Sequence, residues 1–284
     1  KHEYLGMDLD FSKRGKVIID MTKYMKDMIK DYRIELGPKD KAVTPAALNA
    51  FDEDEDSPLL GTKEAENFHT MVAKGLFACK RARPDIHTAI ANLSTRVRAP
   101  TEDDDKKLLR LMKYINATQD EKLILSCDNL RIIKWYVDSS FAVHPDMKSH
   151  TGGVMSYGRG AAISASRKQK INTRSSTEAE LVGADDMATM VLWTRLFMEA
   201  QGYEIDKNII YQDNKSTMLL EKNGKKSSKR TRALDIRYFF ITDQITRNTM
   251  DVEYLPGTEM VGDFMTKPLQ GKLFAKFKRA IMGH

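Results

Sequence analysis

The chain has 284 residues, 41% hydrophobic and 30% charged, which describes a soluble globular protein of one large or two ordinary domains. No apolar run approaches the roughly 20 residues needed to span a bilayer. Two cysteines, Cys79 and Cys127, are too few for a disulfide framework or a structural zinc site, and a net charge of +6 alone does not establish a polyanionic partner.

Both cysteines lie among apolar neighbours and read as buried thiols of a reducing compartment. The chain starts at Lys1 with no signal-peptide core in Lys1–Asp10, which reads as a fragment or a processed product. The charge is uneven. Residues 52–56 and 102–105 are acidic, whereas Lys222 to Arg237 holds seven Lys or Arg against one acid, Asp235. A basic block inside a folded region fits a phosphate-contacting face, with a solvated loop as the plain alternative.

In chain order, Tyr4–Asp10 alternates, Lys13-Arg14-Gly15 turns, and Val17–Asp20 is β-branched, which predicts a hairpin. Thr22 offers an N-cap for a helix over Lys23–Tyr32. Residues 37–62 carry Pro38, Pro45, the acidic run and Pro58, and read as a long exposed connection. Helices follow at Lys63–Arg83, at Pro84–Val97, and at Glu102–Tyr114 behind a Thr101 cap.

The pattern changes after Leu125. Leu130–Val137, Thr151–Tyr157 and Ala161–Ser166 read as strands, and Ser175–Gln201 as a long helix with Leu181, Ala184, Ala188 and Val191 on one stripe. A strand at Asn208–Tyr211, helices at Lys215–Glu221 and Asp235–Arg247, and a strand at Asp251–Leu255 come next. Helices near Asp263 and over Leu273–Met282 close the chain. Three strands, a helix, a strand, helices and a last strand predict a mixed sheet flanked by helices.

Four acids stand at element ends of this arrangement: Asp138 after the first strand, Glu180 early in the long helix, Asp213 after the fourth strand and Asp263 at a late helix start. Phosphodiester hydrolysis with two hard cations needs several carboxylate oxygens converging from elements distant in sequence. Singly, each acid also reads as a turn residue or a partner of the helix dipole.

The segments Trp-Tyr-Val-Asp138-Ser-Ser, Ser-Arg-Lys-Gln-Lys170, Ser-Ser-Thr-Glu-Ala-Glu180-Leu, Tyr-Gln-Asp213-Asn-Lys-Ser, Leu-Asp-Ile-Arg237-Tyr-Phe-Phe-Ile and Val-Gly-Asp263-Phe-Met-Thr-Lys-Pro-Leu269 occur in that order. Together they resemble the ribonuclease H (RNase H) domain of copia-type (Pseudoviridae) retrotransposon Pol polyproteins. Tyr4-Leu-Gly-Met-Asp-Leu with Gly15 and Tyr24 resembles the end of the family's reverse transcriptase palm near the primer grip. Arg83-Pro-Asp-Ile86 and Leu111-Met-Lys-Tyr-Ile115 resemble its thumb and connection region.

The resemblance implies an α/β chain: a small α/β palm remnant (1–34), a helical thumb/connection module (35–125), and an RNase H-like five-stranded mixed sheet with flanking helices (126–284). It implies cleavage of the RNA strand of RNA–DNA hybrids with two Mg²⁺ ions, Mn²⁺ substituting, held by Asp138, Glu180, Asp213 and Asp263. Glu178 competes with Glu180, but residues two apart lie about 200° apart around a helix, so both cannot face one site. Ala-Glu180-Leu181 matches the family's pattern of Glu before Leu, which leaves Glu178 to complement the helix dipole.

Ser139, Ser176 and Asn214 flank the ligands and could read the 2′-hydroxyl, with a helix cap and a turn as plain readings of the last two. Arg230, Arg232 and Arg237 are candidates for phosphate contacts. The implied partners are the RNA–DNA hybrid, template–primer, and the reverse transcriptase fingers/palm and integrase of the same polyprotein. The implied setting is intracellular: cytoplasmic virus-like particles and the nucleus.

Two departures matter. Many cellular RNases H place a His in the loop before the last Asp, whereas Leu255–Gly262 has none, and Glu259 is the nearest substitute. Ala184-Asp185-Asp186-Met187 resembles a Tyr-x-Asp-Asp polymerase turn but sits in a helical run, so the chain is expected to hold no polymerase site and these acids to be surface acids. The rival readings are a DDE integrase or transposase, and a catalytically silent connection module that only grips template–primer.

Overall fold

The N-terminal alternation folds into three antiparallel strands rather than two: β1 (His2–Tyr4), β2 (Met7–Asp10) and β3 (Lys16–Asp20). The added turn is Leu5-Gly6, where φ is 50° and 74°. Two successive positive φ values match the twist of a tight hairpin, and glycine takes the second without steric strain. This computed structural model describes residues 1–223 and 235–284. Two compact units result, Lys1–Ser126 with Arg159–Ala161 and Lys267–His284, and Cys127–Gly158 with Ala162–Thr266.

In the first unit, α1 (Thr22–Lys30) is held at its start by Asp20, whose Oδ1 accepts the Thr22 N–H at 2.8 Å; Thr22 itself is not the cap. The segment expected to be an exposed connection is partly inside: Thr44, Ala46, Ala50 and Phe51 are buried, and Asn92 Nδ2 donates to Ala50 O at 2.5 Å. Its prolines and acids masked a run of small apolar residues able to pack closely.

The helices α2 (Thr62–Cys79), α3 (His87–Ser94) and α4 (Glu102–Ala117) follow. Thr101 caps α4 reciprocally with Asp104, as Ser/Thr caps do. A 3₁₀ turn, Pro84–Ile86, precedes α3, and α3 stops short of the predicted Val97.

Sequence reading passed over β4 (Leu123–Cys127), which pairs antiparallel with β3. The short β7 (Gly158–Arg159) completes a sheet of order β1-β2-β3-β4-β7. The last helix, α9 (Gly271–Met282), buries Phe274, Phe277, Ile281 and Met282 along one stripe in this unit, so the chain's end packs with its N-terminal half.

The second unit is built on β5 (Ile132–Ser140), with β6 (His150–Ser156) and β8 (Ile163–Lys168) antiparallel on one side. On the other side β9 (Lys207–Gln212) and β10 (Asp251–Tyr254) run parallel, giving the order β10-β9-β5-β6-β8. Ile133, Trp135 and Val137 alternate onto one face and join Leu181, Ala184, Ala188 and Val191 of α5 (Ser176–Ala200) in the core. The remaining helices are α6 (Lys215–Asn223), α7 (Asp235–Thr246) and α8 (Asp263–Thr266). The architecture is mixed α/β with a five-stranded mixed sheet, as the element order in the sequence predicts. Cys79 is buried as expected, but Cys127, on the last residue of β4, is exposed.

Candidate active site

Alternation along β5 sends Asp138 to the face opposite Val137. The strand continues to Ser140, so Asp138 lies inside it, paired with Gly152 of β6, rather than after it. Asp213 follows β9 directly, and Asp263 opens α8. One carboxylate oxygen from each of Asp138, Asp213 and Asp263 falls within 4.8 Å of the other two. Asp138 is 1% exposed and Asp263 9%, with Asp213 half-buried.

Glycines allow this convergence. A Cβ on Gly152 would lie 2.7 Å from Met265 Cβ and 3.0 Å from Gly262 O; one on Gly262 would lie 3.1 Å from Asp138 N. The α8 segment therefore rests on β5 and β6 at backbone distance, which only residues without a side chain permit. Within it is a group that sequence reading missed. Thr266, fully buried, donates its hydroxyl to Asp138 Oδ2. Its sequence signals are a place one helical turn after Asp263 and membership of the Asp263–Leu269 segment that carries the family resemblance.

Glu180 is not in the converging trio; it sits in the second turn of α5 and is 6% exposed. Glu178 is occupied at the helix start, where its carboxylate accepts the Arg174 N–H at 2.8 Å and its own N–H donates to Ser175 Oγ at 3.2 Å. The cap of α5 is thus Ser175, and Ser176 is exposed beside it. Asn214 serves as a cap too, its Oδ1 accepting the N–H groups of Ser216 and Thr217 at 3.0 and 3.2 Å.

Ser139 is buried under α5, facing Gly183. Arg237 pairs with Asp185 at 3.0 Å. Arg230 and Arg232 lie outside the described residues. Asp185 and Asp186 are inside α5, as expected, but half-buried rather than on the surface. Burial raises the Asp185 carboxyl pKa against the pull of Arg237, and Asp186 accepts from Thr151 Oγ1 at 3.3 Å.

Glu259 is exposed in a short 3₁₀ turn, Gly257–Glu259. Two histidines form a buried pair, His144 Nε2 to His150 Nδ1 at 3.0 Å, with His150 Nε2 at 2.8 Å from Ser166 Oγ. Burial pushes them down to about 4 and about 3, so both are neutral at physiological pH.

Among the described residues, the trio is the one group of three or more His, Cys, Asp or Glu side chains with ligand atoms so close. A donor set made wholly of carboxylate oxygens is what hard divalent cations take, so these residues fit Mg²⁺ or Mn²⁺.

No family model matches the chain. It is 30% identical over 201 residues to the Pol polyprotein of transposon RE2 from Arabidopsis thaliana and 26% over 218 residues to that of transposon TNT 1-94 from Nicotiana tabacum. These matches cover 70% and 76% of the chain. A match to the Ty1-NL2 Gag-Pol polyprotein of Saccharomyces cerevisiae covers 96% at 21% identity. The chain is similar to the Pol polyproteins of copia-type retrotransposons.

It spans only 14–16% of the length of these Pol relatives. Among solved structures, the compost-derived LC11-RNase H1 aligns with 48% of this chain and 93% of its own at 13% identity, TM-score 0.37. RNase H1 of Halobacterium salinarum aligns with 46% and 89% at 11% identity, TM-score 0.31. No helix among the described residues is long and apolar enough to cross a membrane.

Proposed function

We propose that the second unit is a ribonuclease H that hydrolyses the RNA strand of RNA–DNA hybrids during reverse transcription of a copia-type element. The observation that carries this reading is the convergence of Asp138, Asp213 and Asp263 within 4.8 Å, from three elements far apart in sequence. These three, with Glu180 from α5, would hold two divalent ions, Mg²⁺ or Mn²⁺. Bound there, such ions supply an activated water and neutralise charge on the scissile phosphate.

The chain's own residues orient and shield. Gly152 and Gly262 bring α8 against the strands so that Asp263 meets Asp138. Asn214 caps α6 and thereby fixes the turn that carries Asp213. Ser176, exposed at the α5 start one helical turn before Glu180, would meet a 2′-hydroxyl across a minor groove. Ser139 is buried and acts through packing instead. Arg237 is a phosphate contact that must exchange its bond to Asp185 for one to the duplex. Arg230 and Arg232 stay in the proposal on sequence alone. The other proposed partners are template–primer, the fingers and palm of the same reverse transcriptase, and its integrase.

The test is incubation of the full chain with an end-labelled RNA–DNA hybrid and Mg²⁺. Cleavage of the RNA strand to 5′-phosphate and 3′-hydroxyl ends is expected, and Asp138→Asn should abolish it with an unchanged circular dichroism spectrum. Cutting of duplex DNA in preference to hybrid would instead indicate an integrase or transposase. Tight hybrid binding without cleavage would indicate a silent connection module.

A further inference from the structure

We infer that Thr266 is a positioning residue for metal binding: its buried hydroxyl holds one oxygen of Asp138 so that this carboxylate meets those of Asp213 and Asp263 in a fixed orientation. The inference rests on the metal-nuclease reading above and names a residue that reading does not require.

Three carboxylates within 4.8 Å of one another repel when ionised, and the cheapest relief is rotation of one away from the others. A cationic partner would prevent rotation but would also cancel the charge a metal needs. A neutral hydroxyl donor restrains the carboxylate and leaves it anionic. Thr266 is the residue so placed, with Oγ1 donating to Asp138 Oδ2. The other acceptor of that hydroxyl, the Asp263 backbone oxygen, is at a long 3.3 Å, so the proton is directed chiefly to the carboxylate.

The rest of the side chain explains why a threonine suits the place. Its methyl stands over Gly152, where a Cβ would lie 2.6 Å away, and a β-branched residue has few χ1 choices. The methyl is wedged over the strand, and that fixes the direction of the hydroxyl. Asp263, one turn earlier in α8, is carried by the same segment. Thr266 thus ties the ligand on β5 to the helix that supplies another, as groups behind metal ligands commonly do.

The test is Mn²⁺ and Mg²⁺ binding to the full chain by titration calorimetry, with hybrid cleavage kinetics alongside. Thr266→Val keeps the shape and removes the donor, so metal affinity should fall about ten-fold or more. Its kcat at low metal should fall while KM for the hybrid holds. Thr266→Ser keeps the donor and loses the methyl, so it should bind metal within about three-fold of the parent even if it melts lower.

Unchanged metal affinity in Thr266→Val overturns the inference and leaves the nuclease reading standing. So does an equal loss in Thr266→Ser, because packing rather than the hydroxyl would then govern. If Thr266→Val does not fold, Thr266→Ala takes its place as the variant without the donor and is compared with Thr266→Ser on the same criterion. Absence of metal binding by the parent chain overturns both readings, and that outcome is distinct from the others.

Discussion

Gly183 of α5 lies directly over Ser139 of β5: a Cβ on the glycine would sit 2.1 Å from Ser139 Oγ. Ser139 immediately follows Asp138, so this contact sets how closely the long helix approaches the strand that carries the central carboxylate. Gly183→Ala should destabilise the chain by about 1–3 kcal/mol through overpacking. Because the clash is with the hydroxyl and not with Ser139 Cβ, which lies at 3.5 Å, adding Ser139→Ala should restore most of the loss. Thermal melts of the two single variants and the double variant check this; an additive double variant would show that the strain lies elsewhere. Ser139→Ala alone should leave hybrid KM unchanged, since the hydroxyl is buried.

A second prediction concerns the first unit. Arg83 and Asp85 are both fully buried; Nε and Nη2 donate to the two carboxylate oxygens at 2.9 and 2.8 Å, and Tyr114 donates to the same carboxylate at 2.8 Å. Burial opposes the Asp85 charge, but Arg83 and its hydrogen bonds more than offset this and leave the carboxyl below its ordinary value. Removing one partner strands the other charge. Arg83→Met should therefore lower stability by about 3–5 kcal/mol, measured by urea unfolding, and Arg83→Met/Asp85→Leu should lower it by less.

Asp138, Asp213 and Asp263 stood out in the sequence as acids near element boundaries, but Asp138 lies inside β5 and Glu180 outside the converging trio, because the strand runs on to Ser140 by pairing with β6. What lay hidden depends on approach between elements. The roles of Gly152 and Gly262 exist only once α8 lies on the sheet, and Thr266, although part of the Asp263–Leu269 segment, shows its role only when that contact forms. The stripe on α9 announced a buried face without saying what would cover it, and its partner proved to be the N-terminal unit. β4 is five residues long and becomes a strand by pairing with β3 across a hundred residues of sequence. Glu178 and Glu180 were separated partly by angle, and the structure gives each a different environment.

Stability should also vary with pH through Glu221. It is fully buried on α6, neither carboxyl oxygen has a hydrogen-bond partner among the described residues, and burial pushes its pKa up to about 8 from 4.5. The folded protein therefore keeps this proton over a range in which the unfolded chain has lost it. The stability tied to that proton is complete below about pH 4.5 and is lost as pH rises through about 8. Glu221→Gln should flatten this slope, raising the melting temperature more at pH 8 than at pH 5. An equal shift at both pH values would mean that Glu221 is ionised in the fold.

The ion pair of Arg237 and Asp185 makes the last prediction, on hybrid binding. At 3.0 Å, with both side chains about a quarter exposed, the pair is a surface one that contributes little to stability, so either partner can be exchanged without unfolding. If Arg237 also contacts a phosphate, Asp185 competes with the nucleic acid for the same guanidinium. Asp185→Asn should then tighten binding of an RNA–DNA hybrid. Arg237→Ala should weaken it and reduce by about one the slope of log affinity against log salt. Fluorescence anisotropy between 50 and 200 mM salt, roughly the range over which counterion release is steep, measures both. Weaker binding in Asp185→Asn would instead mean that the acid orients Arg237 toward the duplex, and an unchanged slope in Arg237→Ala would remove Arg237 from the interface.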